Sequence, residues 1–220
     1  MTRLVLLDAG RANVSVPAEP SFPAEMISSL RAGGVVIFPT DTLYGLGVDP
    51  WSETGLNRLL AAKGRDRGKP IPLLLSEKEH VDRWARHVPP PAARLMDRFW
   101  PGALTLVLPA VPGIHPAVTG GGGTVGLRVP DHPVPRALAA LLSGAVTGTS
   151  ANRSGNPGAW GTAEGIIREF TGTVDWVVWG GEAVGDSPGS TVVRVVDDHP
   201  VLLREGVLPF RDIIEFLQRG

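Results

Sequence analysis

Short polar clusters that could do chemistry recur at the ends of apolar runs in this chain. The fullest is Thr40-Asp41-Thr42-Leu43-Tyr44-Gly45-Leu46-Gly47, which follows Val35-Val36-Ile37-Phe38. Its hydroxyls, single carboxylate and paired glycines suit a ligand loop at the carboxyl end of a buried strand, although an ordinary strand-end turn has the same composition. The pattern returns at Thr124 to Arg128, at Thr147-Gly148-Thr149-Ser150-Ala151-Asn152-Arg153-Ser154-Gly155, at Ser190-Thr191 and at Arg204-Glu205-Gly206. A separate basic stretch, Lys63-Gly64-Arg65-Asp66-Arg67-Gly68-Lys69-Pro70, closes a helical segment. Cations also favour helix C-termini for dipole reasons, but interleaved glycine and proline fix the loop's path, and a fixed array of cations suits polyphosphate.

Three better-known constellations fail on context. The basic stretch lacks one residue of a Walker loop, has Pro70 where Ser or Thr is needed, and leads into a strand. Gly121-Gly122-Gly123-Thr124-Val125-Gly126 has the dinucleotide spacing but also runs into a strand, Leu127-Arg128-Val129. Gly185-Asp186-Ser187-Pro188-Gly189 has the form of a hydrolase nucleophile elbow, yet a strand follows and Pro188 removes an oxyanion-hole N–H, so a tight turn is the better reading of Ser187. His80, His87, His115, His132 and His199 show no metal-ligand spacing, so no protein-built metal site is expected. Magnesium would arrive with a phosphate ligand, since it keeps its waters and needs few carboxylates.

Composition narrows the classes further. At 220 residues one domain is expected, and a net charge of -1 confines any nucleic-acid contact to a local patch. Cysteine is absent, which removes disulfides, thiolate ligands and a cysteine nucleophile. No apolar run approaches membrane-spanning length and the amino terminus does not read as a leader, so a cytoplasmic setting is expected.

The elements that must position these clusters are short. β-branched runs predict strands at 35–38, 71–75, 104–108, 125–129, 174–179, 191–196 and 201–203. Helical spacing predicts helices at 24–31, at 53–63 between Ser52 as N-cap and Gly64 as stop, and at 90–99, 134–142, 163–170 and 212–217. Ser76 and Glu79 read as a capping box opening a helix through Arg86. This alternation predicts an α/β domain with a mixed sheet. Several strand ends thus offer hydroxyls and cations without a convincing nucleophile, a combination suited to electrostatic catalysis on an anionic substrate.

Taken in order, Pro39 to Gly47, Lys63-Gly64-Arg65, Phe99-Trp100-Pro101-Gly102-Ala103-Leu104-Thr105, Leu127-Arg128-Val129-Pro130-Asp131-His132-Pro133, Thr149-Ser150-Ala151-Asn152 and Ser190-Thr191 resemble the YrdC-type threonylcarbamoyl-AMP synthase family. The resemblance covers most of the chain and is closest to the short form: one domain over 1–220, a core at about 20–208 and no additional C-terminal domain. It implies a twisted open mixed β-sheet flanked by helices, with a large basic cleft. It also implies a nucleotidyltransferase that turns L-threonine, bicarbonate and ATP into threonylcarbamoyl-AMP and pyrophosphate, for N6-threonylcarbamoylation of adenosine in tRNA. Thr42, Arg128 and Ser190 would face threonine. Lys63, Arg65, Lys69, Thr124, Ser150, Asn152 and Arg204 would hold ATP and its magnesium, with Tyr44 as a cleft wall.

Asp66 departs from the family pattern, which has proline after Lys-x-Arg, and Gly158 stands where a polar residue is common. A downstream tRNA threonylcarbamoyl transferase is a partner the resemblance implies, as is contact with tRNA or double-stranded RNA. The rival readings are a non-catalytic RNA- or nucleotide-binding relative and, from another class, a serine hydrolase using Ser187. Asp41, a carboxylate beside a polyphosphate site, is expected to orient its loop through backbone hydrogen bonds.

Overall fold

Apolar runs of a few residues, buried on both faces, form the frame that carries the polar clusters. The computed structural model describes residues 2–7, 19–64, 66, 68–152, 163–180 and 187–219. Along these residues the strands are β1 (Arg3–Leu6), β2 (Val36–Phe38), β3 (Gly45–Gly47), β4 (Leu73–Leu75), β5 (Leu104–Pro109) and β6 (Thr124–Arg128). They continue as β7 (Ala145–Thr147), β8 (Thr149–Ser150), β9 (Trp176–Trp179), β10 (Thr191–Val196) and β11 (His199–Arg204). The helices are α1 (Ala24–Arg31), α2 (Glu53–Lys63), α3 (Pro90–Phe99), α4 (Pro116–Thr119), α5 (Pro133–Leu141), α6 (Ala163–Glu169) and α7 (Phe210–Gln218).

The fold is mixed α/β, and its strands divide between two mixed sheets in the orders β1-β9-β2-β3-β8 and β11-β10-β5-β6-β4-β7. The chain passes from the second sheet to the first between β7 and β8, at Gly148. Its N–H donates to the Pro72 carbonyl at 2.9 Å, and a Cβ there would lie 2.5 Å from Leu74 Cγ. Only glycine lets the backbone approach β4 this closely. Buried Thr147 secures the crossing, its Oγ1 accepting from Val48 N–H at 2.9 Å.

One apolar cluster joins α2, α3 and the second sheet through Leu56, Leu59, Leu95, Leu106 and Leu127. Another sets α1 and α5 against β2, β7 and β9 through Met26, Leu30, Leu138, Val146 and Val178. α2 forms where its caps predict: the Ser52 hydroxyl accepts from Gly55 N–H at 3.1 Å, and Gly64 takes the left-handed conformation at φ 60°. α1 and α3 also match their expected bounds.

Two readings are corrected. The capping box does not form, because the Ser76 hydroxyl is engaged by His80 Nδ1 at 2.7 Å, and a short 3-10 helix, Lys78–Arg83, replaces the expected α-helix. The stretch after Phe38 is not polar loop throughout, since Gly45–Gly47 pairs antiparallel with β2. A Cβ on Gly45 would sit 3.0 Å from the Phe38 ring, so the glycine accommodates an aromatic neighbour. β1, β7, β8 and α4 were not anticipated. Among the described residues, no helix is long and apolar enough to cross a membrane.

Candidate functional site

The turn between β2 and β3 is organised by Thr40. Its hydroxyl donates to the Leu43 carbonyl at 2.6 Å and accepts from the N–H groups of Thr42 and Leu43 at 3.1 and 3.2 Å. This local bonding turns Thr42 inward, where it is buried, and leads into Tyr44. Tyr44 stacks on Trp179 with ring centroids 5.4 Å apart, and its phenol oxygen accepts from Gly180 N–H at 3.2 Å. Burial pushes its pKa from 10.0 up to about 12.

Arg128 ends β6 facing this turn and is 4% exposed. Nε donates to the Gly102 carbonyl at 2.8 Å, Nη1 to Thr42 Oγ1 at 3.2 Å and Nη2 to Asp41 Oδ1 at 2.5 Å. Burial lowers the pKa of this guanidinium, and the Asp41 carboxylate opposes that effect. The contact found for Asp41 is therefore an ion pair, where backbone hydrogen bonds were expected. His132 lies near the same carboxylate and caps α5 with Nδ1, which accepts from Val134 N–H at 3.2 Å. Burial lowers its pKa, with Asp41 and Asp131 working against that shift.

Across the cavity, β5 and β10 run parallel and present a hydroxyl pair: Thr105 Oγ1 and Ser190 Oγ are 2.8 Å apart and buried. Arg204, at the end of β11, reaches back to Ser190, with Nη2 donating to its carbonyl at 2.8 Å and to its hydroxyl at 3.3 Å. Burial of the head group and then the positive charge of Arg128 lower the Arg204 pKa. Two guanidiniums therefore influence one another across a common space.

The third corner comes from the last turn of α2. Lys63, 3% exposed, donates to the Ser150 carbonyl, to Ser150 Oγ at 3.1 Å, to the Asn152 carbonyl at 3.2 Å and to Asn152 Oδ1 at 3.0 Å. The Ser150 hydroxyl donates to Asn152 Oδ1 at 2.7 Å. A buried ammonium needs such neutral acceptors, and here it fixes the chain just after β8.

These corners enclose a cavity of about 170 Å³, lined by Thr42, Tyr44, Arg128, Ser150, Ser190 and Arg204 among the expected residues. Lys63 and Asn152 brace it from behind Ser150. Thr40, Thr105, Thr149 and Gly189 also line it and were missed. Strand alternation holds the signal for Thr105, because pairing of Leu106 with Leu127 places it on the face of Arg128.

Lys69 and Thr124 lie elsewhere. Exposed Lys69 belongs to the loop that packs against Gly120, where a Cβ would meet the Gly68 carbonyl at 2.8 Å. Thr124 opens β6, roughly 13 Å along the strand from Arg128. Arg65 and Gly158 lie outside the described residues. Ser187 accepts from Gly189 N–H at 3.2 Å in a turn followed by β10, so the helix required of a nucleophile elbow is absent there.

Residues 28–206 match the Sua5/YciO/YrdC family model, whose description is telomere recombination. The chain is 37% identical over 185 residues to the threonylcarbamoyl-AMP synthase of Pyrococcus abyssi, covering 84% of this chain and 54% of that protein. It is 39% identical over 184 residues to the threonylcarbamoyl-AMP synthase of Bacillus subtilis, covering 83% of this chain and 53% of the relative. The crystal structure of P. abyssi Sua5 complexed with L-threonine matches with a TM-score of 0.81 at 35% identity, over 88% of this chain and 56% of that one. The chain spans about half the length of these relatives.

Proposed function

The chain belongs to the Sua5/YciO/YrdC family, and from that premise we propose that it condenses L-threonine, bicarbonate and ATP into threonylcarbamoyl-AMP and pyrophosphate. The observation that carries this reading is one cavity holding two guanidiniums with unlike partners, Arg128 against Asp41 and Thr42, and Arg204 against Ser190. Such a space accepts two different anionic groups side by side.

In this reading Arg128 and Thr42 take the threonine carboxylate, with the Ser190 hydroxyl close by. Arg204 and Ser150 take ATP, Lys63 and Asn152 hold Ser150 in place, and Tyr44 walls the cavity. Arg65, Lys69 and Thr124 form an outer grip on the nucleotide. The threonine amine and bicarbonate give a carbamate with loss of water. A carbamate oxygen then attacks the α-phosphorus, forming the new P–O bond as the bond to pyrophosphate breaks. Charge accumulates on phosphate oxygens and on the leaving pyrophosphate, which fixed cations stabilise without a covalent enzyme intermediate.

Magnesium enters with the triphosphate. The Asp41 carboxylate is already paired with Arg128, and among the described residues no protein carboxylate is assigned to the ion. A cytoplasmic setting, a local tRNA or double-stranded RNA contact and a downstream threonylcarbamoyl transferase belong to the same reading. The test is pyrophosphate release by the purified chain. Release should require threonine, bicarbonate and ATP together; release from ATP alone, or none, would refute the proposal.

A further inference from the structure

The two guanidiniums of the cavity differ in what balances them. Arg128 is buried and its Nη2 meets a carboxylate at 2.5 Å, with side-chain exposures of 5% for Arg128 and 15% for Asp41. Its remaining anchors, Gly102 O and Thr42 Oγ1, are neutral and fix the plane of the guanidinium. Arg204 instead donates to the neutral carbonyl and hydroxyl of Ser190. Among the described residues, the Arg128 pole is therefore close to neutral overall, while the Arg204 pole has no carboxylate partner and keeps a positive charge.

We propose that Asp41 is a charge-selecting positioning residue, which makes the Arg128 pole receptive to the carboxylate of an amino acid and repellent to phosphate. A carboxylate brings a single negative charge and two oxygens that fit the donors left on a guanidinium. A polyphosphate brings several charges, each repelled by Asp41, whose side chain is only 15% exposed, so that screening around it is reduced. Phosphate is thereby directed to the Arg204 side, and threonine and nucleotide do not exchange places. The inference rests on the assignment of Arg128 to threonine and adds a discriminating element to it.

The test is calorimetric titration of L-threonine into the full chain, with and without inorganic pyrophosphate, for wild type, Asp41→Asn and Asp41→Glu. In wild type, pyrophosphate should leave the threonine affinity within about twofold. In Asp41→Asn it should compete, weakening threonine about tenfold or more. Asp41→Glu should restore indifference, which a purely structural role would not require. Competition in wild type, or the same indifference in a folded Asp41→Asn variant, overturns the assignment of Asp41. Wild type that binds no threonine at all overturns instead the functional reading beneath it. Should Asp41→Asn fail to fold, the equally uncharged Asp41→Ser takes its place: competition by pyrophosphate is expected there too, and indifference in the folded variant overturns the assignment.

Discussion

Tyr44 is the sole tyrosine of the chain, so its ionisation can be read without background from another phenol. The ring is 3% exposed against Trp179, and burial raises its pKa from 10.0 to about 12 despite the Gly180 N–H, which favours the phenolate. The difference between those values corresponds to about 2.7 kcal/mol by linkage. Because the folded pKa is the higher one, this stability is fully present below pH 10.0 and is lost as pH rises toward about 12. The perturbation is a rapid pH jump, the assay is ultraviolet absorbance of tyrosinate, and near-ultraviolet circular dichroism confirms that the fold persists. The native chain should titrate near 12 and the denatured chain near 10.0. Lysines also titrate in that range, so the stability loss is taken as the difference between wild type and Tyr44→Phe, which should lack it. A native midpoint near 10.0 with the dichroism intact would refute the burial of Tyr44 in the cavity wall.

Other substitutions probe the bracing around the cavity. Lys63→Met keeps the stem but strands the acceptors of Ser150 and Asn152. It should lower stability by about 2 kcal/mol or more in denaturant unfolding, and a change under about 0.5 kcal/mol would count against the brace. Gly148→Ala places a methyl 2.5 Å from Leu74 Cγ at the crossing between sheets. A loss of about 1–3 kcal/mol is expected, and an unchanged denaturation midpoint would mean the crossing is looser than described. Arg65→Ala should reduce turnover by roughly 2.7–4 kcal/mol of barrier in steady-state kinetics, and unchanged turnover would remove Arg65 from the phosphate grip.

Local signals were legible where one residue decides the conformation. Ser52 and Gly64 bound α2 because a hydroxyl cap and a left-handed glycine act within a single turn. Ser76 looked equally good as a cap, but His80 is the partner it takes, packed where Gly144 leaves room for the imidazole. β3 was hidden because its glycines accommodate Phe38 and so carry no strand propensity of their own. β7 and β8 were hidden because a single glycine divides them between two sheets.

The site followed the same division. Thr42, Arg128, Ser190 and Arg204 could be singled out as polar ends of apolar strands, and all four line the cavity. Thr105 sits inside the apolar run of β5 and gains its meaning only from pairing with Ser190 across strands. Asp41 raised a question that the sequence framed but did not answer: a carboxylate beside anions needs an intervening cation. That cation is Arg128, 87 residues further along the chain.

The most direct test of the proposed activity uses carbon-labelled bicarbonate with L-threonine and ATP. The label should appear in an adenylate that also contains threonine, with one such molecule formed for each pyrophosphate released. Pyrophosphate formed without label entering an adenylate would contradict the proposal.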